Sequence, residues 1–222
     1  MEVVRPAEGE IFDIELDEDF LRRNRELSEK NRQILDSNDC TAIDVLGSVG
    51  AGKTSLIKLL VRKLKSKHRI AVVAGDLTTE LDAARIVEEG VEVIQINTGK
   101  ECHLDANLLK KAMEKLDLQK VDVLFIENVG NLICPTDFPL GSHHRIVVVS
   151  VTEGPHTVVK HPFIFEDASI LVISKVDLCQ AMGFGPQTLR EDALRINPKL
   201  RVVETNCVTG EGVDQVVALL QL

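Results

Sequence analysis

A glycine-rich segment at residues 47–54 has the residue types and spacing of a phosphate-binding loop. Its sequence, Gly-Ser-Val-Gly-Ala-Gly-Lys-Thr, matches the pattern G-x-x-x-x-G-K-[ST]. The glycines allow consecutive backbone N–H groups to curve around phosphate oxygens, and the helix that follows adds a positive N-terminal dipole. Lys53 is expected to reach the β- and γ-phosphates, and Thr54 to coordinate Mg²⁺. The predicted nucleotide-binding residues of this segment are Gly47, Ser48, Val49, Gly50, Ala51, Gly52, Lys53, Thr54 and Ser55.

Two acidic residues end apolar runs that are typical of strands, and both are expected near the phosphates. Asp76 ends the run 69–76, and Glu127 lies near the end of the run 121–128. A carboxylate at either position would bind Mg²⁺ or its waters, or would orient the attacking water, although strand-end acids also serve as helix caps. We therefore predict that Thr54, Asp76 and Glu127 are the Mg²⁺ ligands.

Residues 127–130 resemble the D-x-x-G element of GTPases, in which the glycine N–H contacts the γ-phosphate and moves away after hydrolysis. Gly130 would then sense the nucleotide state, and the turn at residues 75–79 is the candidate for a second switch. The residues to which we assign catalytic roles are Lys53, Asp76, Glu127 and Gly130.

The segment 174–177, Ser-Lys-Val-Asp, matches the guanine-binding pattern [NST]-K-x-D. Asp177 is expected to accept two hydrogen bonds, from guanine N1–H and the exocyclic amine, while the aliphatic stem of Lys175 stacks on the base. Adenine offers no such pair of donors, so the pattern favours GTP over ATP. Ser174 stands where Asn is usual, and a buried strand-end Lys/Asp pair is the alternative interpretation. Asn206, near the end of the last predicted strand, is a further candidate for a contact on the base side.

Two cysteines and a histidine follow two predicted strands that are consecutive in the chain. Cys102 and His103 come after the third strand and Cys134 after the fourth, so all three leave the same edge of the sheet. Two thiolates and an imidazole form a soft ligand set that suits Zn²⁺ or Ni²⁺. Three ligands leave one coordination position, which a water or the same residues of a second subunit would fill. From spacing alone, structural cysteines remain the alternative.

The predicted switch and the predicted metal site are close in the chain. Cys134 lies four residues beyond Gly130, so a displacement of the switch must also move a metal ligand. This short covalent path predicts that the nucleotide state controls metal binding or the geometry of a homodimer.

The overall composition argues against several other classes of function. The chain has 222 residues, of which 44% are hydrophobic and 27% are charged, and a formal net charge of −9 without a basic cluster. Nucleic acids and anionic lipids bind clustered cations, and the chain has no Trp or Tyr for base stacking, so neither is an expected partner. Five scattered cysteines do not form a disulfide framework, and no segment has the length of a signal peptide or membrane span, so we expect a cytoplasmic location.

Seven short β-branched runs alternate with amphipathic helical segments, which is typical of a doubly wound α/β fold. We predict a P-loop NTPase fold, in which a mostly parallel sheet is flanked by helices. Residues 40–222 are predicted to form one GTPase domain with metal-binding loops, and residues 1–39 an N-terminal extension with one amphipathic helix. Phe20, Leu27 and Ile34 form the apolar stripe of that helix, which either packs along its own domain or binds a partner.

Six segments, in this order and spacing, closely resemble the hydrogenase nickel-incorporation GTPases, the HypB-type maturation factors. They are GSVGAGKT, GD at 75–76, NTGKECHLDA, FIENVGNLICP, TEGPHTVVKHP and SKVD, and the likeness covers about residues 40–222. The resemblance implies a homodimeric GTPase whose subunits share Ni²⁺ or Zn²⁺ through Cys102, His103 and Cys134. It also implies that the protein acts with a companion nickel metallochaperone to deliver nickel to the large subunit of [NiFe]-hydrogenase.

The leading prediction is slow hydrolysis of GTP to GDP and phosphate, because no arginine finger is evident in the sequence. One alternative is a urease-type nickel-insertion GTPase, which is expected to carry a Cys-Pro-His motif; here Cys134 and Pro135 precede Thr136. A second alternative is a nickel- or zinc-binding chaperone without significant GTPase activity. Some HypB-type proteins carry an N-terminal nickel-binding stretch, but residues 1–39 contain neither Cys nor His, so we expect no such store here.

Overall fold

The apolar β-branched runs form one parallel sheet, because strands of this kind are stable only where helices cover both of their faces. The computed structural model describes residues 14–76, 81–99 and 101–222. The seven strands are β1 (Thr41–Gly47), β2 (Ile70–Asp76), β3 (Glu92–Asn97), β4 (Val123–Glu127), β5 (His144–Ser150), β6 (Ile170–Ser174) and β7 (Arg201–Thr205). All pairings are parallel, in the order β3-β2-β4-β1-β5-β6-β7, which confirms the predicted sheet.

Helices connect the strands and cover both faces of the sheet. In the part of the chain that the structure describes, they are α1 (Ile14–Ser37), α2 (Lys53–Leu64), α3 (Leu81–Val87), α4 (Ala106–Met113), α5 (Thr157–Lys160), α6 (Phe163–Glu166), α7 (Cys179–Met182), α8 (Gln187–Ile196) and α9 (Val213–Leu220). None of these helices is long and apolar enough to cross a membrane.

The period of two along each strand divides the core between the two faces. Ile43 of β1 and Phe125 of β4 belong to a core cluster that includes residues of α2, α3 and α9. The neighbouring residues Ala42 and Leu124 point to the other face, into a cluster that includes residues of α1 and α4. A third cluster joins β5 and β6 to α5, α6 and α8. The sheet is therefore buried on both sides, as its composition predicts.

Helix α1 packs along its own chain and contacts residues 106 and 139–140, which lie close in sequence to the predicted metal ligands. The side chain of Asn24 donates to the Pro139 carbonyl at 3.0 Å and accepts from the Ala106 N–H at 2.8 Å. Two helical turns later, Asn31 donates to the carbonyls of Ala106, at 2.8 Å, and of Leu140, at 3.2 Å. The predicted boundary between residues 39 and 40 stays a prediction, and the part of the extension before residue 14 lies outside the described residues.

A buried carboxylate lies in the middle of the sheet. Asp44 of β1 is fully buried; its Oδ1 accepts from Asn128 Nδ2 at 3.3 Å, and its Oδ2 makes no hydrogen bond with any residue that the structure describes. The nearest positive charge is Arg145 of β5, whose Nε lies 3.8 Å from Oδ2. Burial raises the pKa of Asp44 to about 6, although Arg145 and Asn128 both act to lower it. The charged form of Asp44 is therefore poorly stabilised.

We expect the buried charge of Asp44 to make the protein less stable as pH rises. Because its pKa is raised from 3.8 to about 6, the stability present at low pH is lost as pH rises through 6. The free energy of unfolding of wild type, minus that of Asp44→Asn, should fall by about 2 kcal/mol between pH 4 and 7. Urea unfolding at several pH values measures this difference, with the exposed Glu29→Gln variant as control. Parallel curves for wild type and Asp44→Asn would contradict the assignment.

Candidate nucleotide and metal site

The phosphate-binding loop connects β1 to α2 at the carboxyl edge of the sheet. Gly47 packs so closely on β5 that a side chain there would clash with the Val148 carbonyl, and Gly52 precedes α2 in the left-handed region, with φ of 103°. The buried amine of Lys53 donates to the carbonyls of Gly47 and Ser48, at 3.1 and 3.0 Å. Burial lowers the pKa of Lys53, opposed mainly by Glu127. The structure thus places the lysine amine across the loop, and its contact with the phosphates stays a prediction.

Thr54 and Glu127 form a buried pair beside this loop. The Thr54 hydroxyl donates to Glu127 Oε1 at 2.6 Å, whereas Glu127 Oε2 is buried and has no hydrogen-bond partner among the described residues. Burial raises the pKa of Glu127 to about 7, and the Thr54 hydroxyl and the Lys53 amine act to lower it. A hydroxyl and a carboxylate with one unsatisfied oxygen are hard ligands, so the pair fits the Mg²⁺ that the phosphate-binding loop implies.

A cleft of about 330 Å³ extends from this pair over the loop. Asp76 lines it, as predicted, whereas most of the predicted second switch, residues 77–79, lies outside the described residues. The sequence analysis missed two further lining residues, Asp82 and Arg85 of α3. Arg85 Nη1 lies 3.3 Å from Asp82 Oδ1, and Arg85 Nη2 donates to Ser55 Oγ at 3.4 Å. The only sequence signal was an acid–arginine pair with i,i+3 spacing shortly after a strand.

The last residue of β4 and the four residues after it, which we call the switch segment (residues 127–131), lie against the phosphate-binding loop. A side chain on Gly130 would clash with Val49, and the backbone of Asn131 forms an antiparallel bridge with that of Gly47. The switch segment therefore lies next to the predicted phosphate position. This is the placement that the D-x-x-G-like pattern predicts for Gly130.

The predicted base-binding residues lie next to the same loop. Ser174 Oγ donates to the Ala51 carbonyl at 2.5 Å, and Lys175 Nζ donates to the Gly50 carbonyl at 2.7 Å. Lys175 lines the cleft, and Asp177 lies in the 3₁₀ turn Val176–Leu178 that follows. The Asn206 side chain instead accepts the N–H of Val208, at 2.9 Å, and so forms its own loop. Neither Asp177 nor Asn206 lines the cleft, so their base contacts stay predictions.

The structure brings Cys102, His103 and Cys134 together, and we call these three residues the metal triad. The two sulfur atoms lie 2.8 Å apart, and His103 Nδ1 lies 3.9 Å from Cys102 Sγ. The potential ligand atoms all lie within 4.8 Å of one another, and this is the one such group among the described residues. The triad therefore has the spacing of a single metal site, as the resemblance implies.

The protein environment favours the neutral forms of Cys102 and His103 and orients the histidine ring. The neighbouring Cys134 thiol, followed by burial, raises the pKa of Cys102, and burial lowers the pKa of His103 against the attraction of nearby acids. The His103 ring stacks on Phe138, with ring centres 3.8 Å apart, and Phe20 of α1 packs against Phe138 in a T-shaped arrangement, with ring centres 5.6 Å apart. A metal ion that binds here must displace thiol protons, so its affinity rises with pH.

Comparison with known proteins identifies the family. Residues 41–204 match the CobW/HypB/UreG nucleotide-binding domain family. The chain is 47% identical to the probable hydrogenase maturation factor HypB of Methanocaldococcus jannaschii, over 94% of both chains. It is 40% identical to the hydrogenase maturation factor HypB of Escherichia coli K12, over 91% of this chain and 70% of that protein.

Solved structures agree with this result. HypB from Archaeoglobus fulgidus superposes with a TM-score of 0.84 at 40% identity, over 90% of this chain and 98% of that chain. HypB from Helicobacter pylori in complex with nickel superposes with a TM-score of 0.85 at 32% identity, over 90% of this chain and 94% of that chain. From its sequence, its fold and these relatives, the chain belongs to the HypB hydrogenase maturation factors of the CobW/HypB/UreG family.

Proposed function

We propose that this chain hydrolyses GTP to GDP and phosphate, and that its nucleotide state controls a nickel site used in the assembly of [NiFe]-hydrogenase. One observation carries the proposal. A single short stretch, residues 127–134, begins at a carboxylate in the nucleotide cleft and ends at a ligand of the metal triad. The names of the HypB relatives, one of them solved with nickel, support the hydrogenase role over the urease-type alternative.

On the nucleotide side, the backbone N–H groups of residues 47–55 and the Lys53 amine bind the phosphates. Thr54, Glu127 and Asp76 would hold Mg²⁺, which would supply positive charge to the phosphates. Lys53 exchanges its present carbonyl acceptors for phosphate oxygens, and the Gly130 N–H contacts the γ-phosphate. Turnover is slow because no arginine finger is evident in the sequence, and Arg85, which lines the cleft, is engaged by Asp82 and Ser55.

On the base side, Asp177 selects guanine by accepting two hydrogen bonds, and the Lys175 stem packs on the ring. The bonds from Ser174 and Lys175 to the phosphate-binding loop support this role, because they fix the distance between base and phosphates. The Asn206 side chain shapes the loop that follows β7 by accepting the Val208 N–H, and the backbone of this loop faces the base.

On the metal side, the triad binds Ni²⁺ or Zn²⁺ with two thiolates and one imidazole. The fourth ligand comes from water or from a second copy of the chain, which would place the metal on the two-fold axis of a homodimer. The dimer depends on nucleotide or metal, and it passes nickel to the hydrogenase large subunit with a companion metallochaperone in the cytoplasm.

The nucleotide assignment predicts different losses for two variants. Lys53→Ala should abolish nucleotide binding, because it removes the cation nearest the phosphates. Asp177→Ala should retain phosphate release but lose the preference for GTP over ATP, because the base acceptor is gone. Malachite-green assays measure phosphate release from each nucleotide, which should fall to background in Lys53→Ala and become equal for GTP and ATP in Asp177→Ala. Lys67→Ala, on an exposed turn, is the matched control. Equal rates with GTP and ATP in the wild type would overturn the guanine assignment.

The metal assignment predicts that Cys102→Ala lowers Ni²⁺ affinity by at least about tenfold, because one of three protein ligands is lost. Cys179→Ala removes a partly buried thiol outside the triad and should leave the affinity unchanged. Equilibrium dialysis followed by metal analysis measures both variants. Unaltered nickel affinity in Cys102→Ala would refute the triad. A metal-binding chaperone that is not a GTPase would be favoured by two results together. The wild type would release no phosphate, and a Lys53→Ala/Asp177→Ala double variant would bind nickel as the wild type does.

A further inference from the structure

The covalent path from the nucleotide cleft reaches only one member of the metal triad. Cys134 follows the switch segment in the chain, but Cys102 and His103 lie on a separate segment after β3, which we call the metal loop (residues 101–105). If the nucleotide state is to change the geometry of the site, the movement must also reach the metal loop through non-covalent contacts. Two asparagine side chains of the switch segment make such contacts.

Asn128 joins the switch segment to the metal loop from inside the protein. Its side chain is 1% exposed. Its Oδ1 accepts from the backbone N–H of Leu104, at 3.1 Å, and from that of Val129, at 3.0 Å. Leu104 directly follows His103, and Val129 directly precedes Gly130. One planar amide therefore fixes the backbone next to a metal ligand and the backbone next to the predicted phosphate sensor.

Asn131 makes a second connection nearer the surface. Its Nδ2 donates to the carbonyl of Cys102 at 3.3 Å, and its Oδ1 accepts from the Ile133 N–H at 2.8 Å. Its backbone is bridged to Gly47 of the phosphate-binding loop. The residue thus contacts the nucleotide loop with its main chain and the metal loop with its side chain.

We propose that Asn128 and Asn131 are positioning residues that transmit the displacement of the switch segment to the metal loop, so that nucleotide state moves Cys102 and His103 together with Cys134. The inference rests on the proposed nucleotide control of the metal site and adds the residues that carry it. Asn128 lines the nucleotide cleft but is buried, and the hydrogen bonds of both side chains go to protein groups, so we expect neither to bind nucleotide or metal directly.

The chemistry of asparagine suits this role. Asn128 must accept two N–H groups with one end of its side chain and donate to the Asp44 carboxylate with the other, at 3.3 Å. Aspartate at this position would lose the donor and face the buried charge of Asp44. Alanine would leave the Leu104 N–H without its present acceptor. The buried pair of Asp44 and Arg145 in turn anchors Asn128 to the centre of the sheet.

The test is the Ni²⁺ affinity of the full chain, by competition with a chromogenic chelator, in GDP and in a non-hydrolysable GTP analogue. We expect the two affinities of the wild type to differ by at least about fivefold. In Asn128→Ala and Asn131→Ala the ratio should fall to within about twofold, while Ni²⁺ binding itself persists. Asn197→Ala is the matched control, because that side chain donates to the carbonyls of Phe165, Glu166 and Ala168, away from both sites.

A second variant separates transmission from a general loss of stability. The exchanged pair Asp44→Asn/Asn128→Asp retains a donor at position 44 and acceptors at position 128, so it should restore the wild-type ratio. Amide hydrogen exchange at Leu104 should differ between the two nucleotides in wild type and become insensitive to nucleotide in Asn128→Ala. If Asn128→Ala does not fold, as judged by circular dichroism and GDP binding, the partly exposed Asn131→Ala carries the test.

The outcomes are distinct. A wild-type ratio that persists in the folded alanine variants overturns this inference and leaves the proposed function intact. Equal affinities in both nucleotides for the wild type overturn the nucleotide control of the metal site, and this inference with it. A ratio that is lost in the alanine variants, restored in the exchanged pair and unchanged in Asn197→Ala supports the inference.

Discussion

The contact between the switch segment and the phosphate-binding loop is the constraint on which the rest of the site depends. Gly130 packs on Val49 without room for a side chain, and Asn131 is bridged to Gly47. A phosphate bound by the loop must therefore meet the backbone of the switch segment. Because Cys134 follows three residues after Asn131, the same contact fixes one side of the metal triad. The nucleotide and metal sites are thus parts of one continuous edge of the sheet.

Buried polar groups make this edge responsive to ligands. Within residues 14–76, 81–99 and 101–222, Lys53 donates only to carbonyls of its own loop, and Glu127 retains a buried oxygen without a hydrogen bond. Burial of such groups costs free energy unless they are paired, so a nucleotide with its metal ion would satisfy them and stabilise the site. The metal triad would behave similarly, because its thiol groups must give up protons to bind an ion, whereas the imidazole binds through a free ring nitrogen.

Sequence patterns predicted the parts of the site whose chemistry depends on residues close in the chain. The loop at residues 47–54 and the segment at 174–177 have fixed spacing, and their positions at strand ends follow from the rule that parallel strands present one carboxyl edge. The metal triad joins two segments, and its assembly was predicted because both follow parallel strands that end at the same edge of the sheet, although β2 lies between β3 and β4. The family resemblance made that prediction specific, and the structure brings the three side chains together.

The contacts that the sequence did not predict are those made by side chains across segments. The hydrogen bond that the Asn128 amide accepts from the Leu104 N–H depends on the packing of β4 against β1. Likewise, the spacing of Phe20, Leu27 and Ile34 predicted a helix but not that Asn24 between them would bind Ala106. Arg85 was missed because a short surface helix carries no motif. Such contacts require the three-dimensional arrangement.

The most direct test of the account is the thiolate-to-nickel charge-transfer absorption of the Ni²⁺-loaded protein, recorded with saturating GDP and then with a non-hydrolysable GTP analogue. The account predicts that the band changes in position or intensity between the two nucleotides, because the switch segment moves the ligands that carry the sulfur atoms. Identical spectra in the two states, with both nucleotides shown to be bound, would contradict the claim that the nucleotide site and the metal triad are coupled.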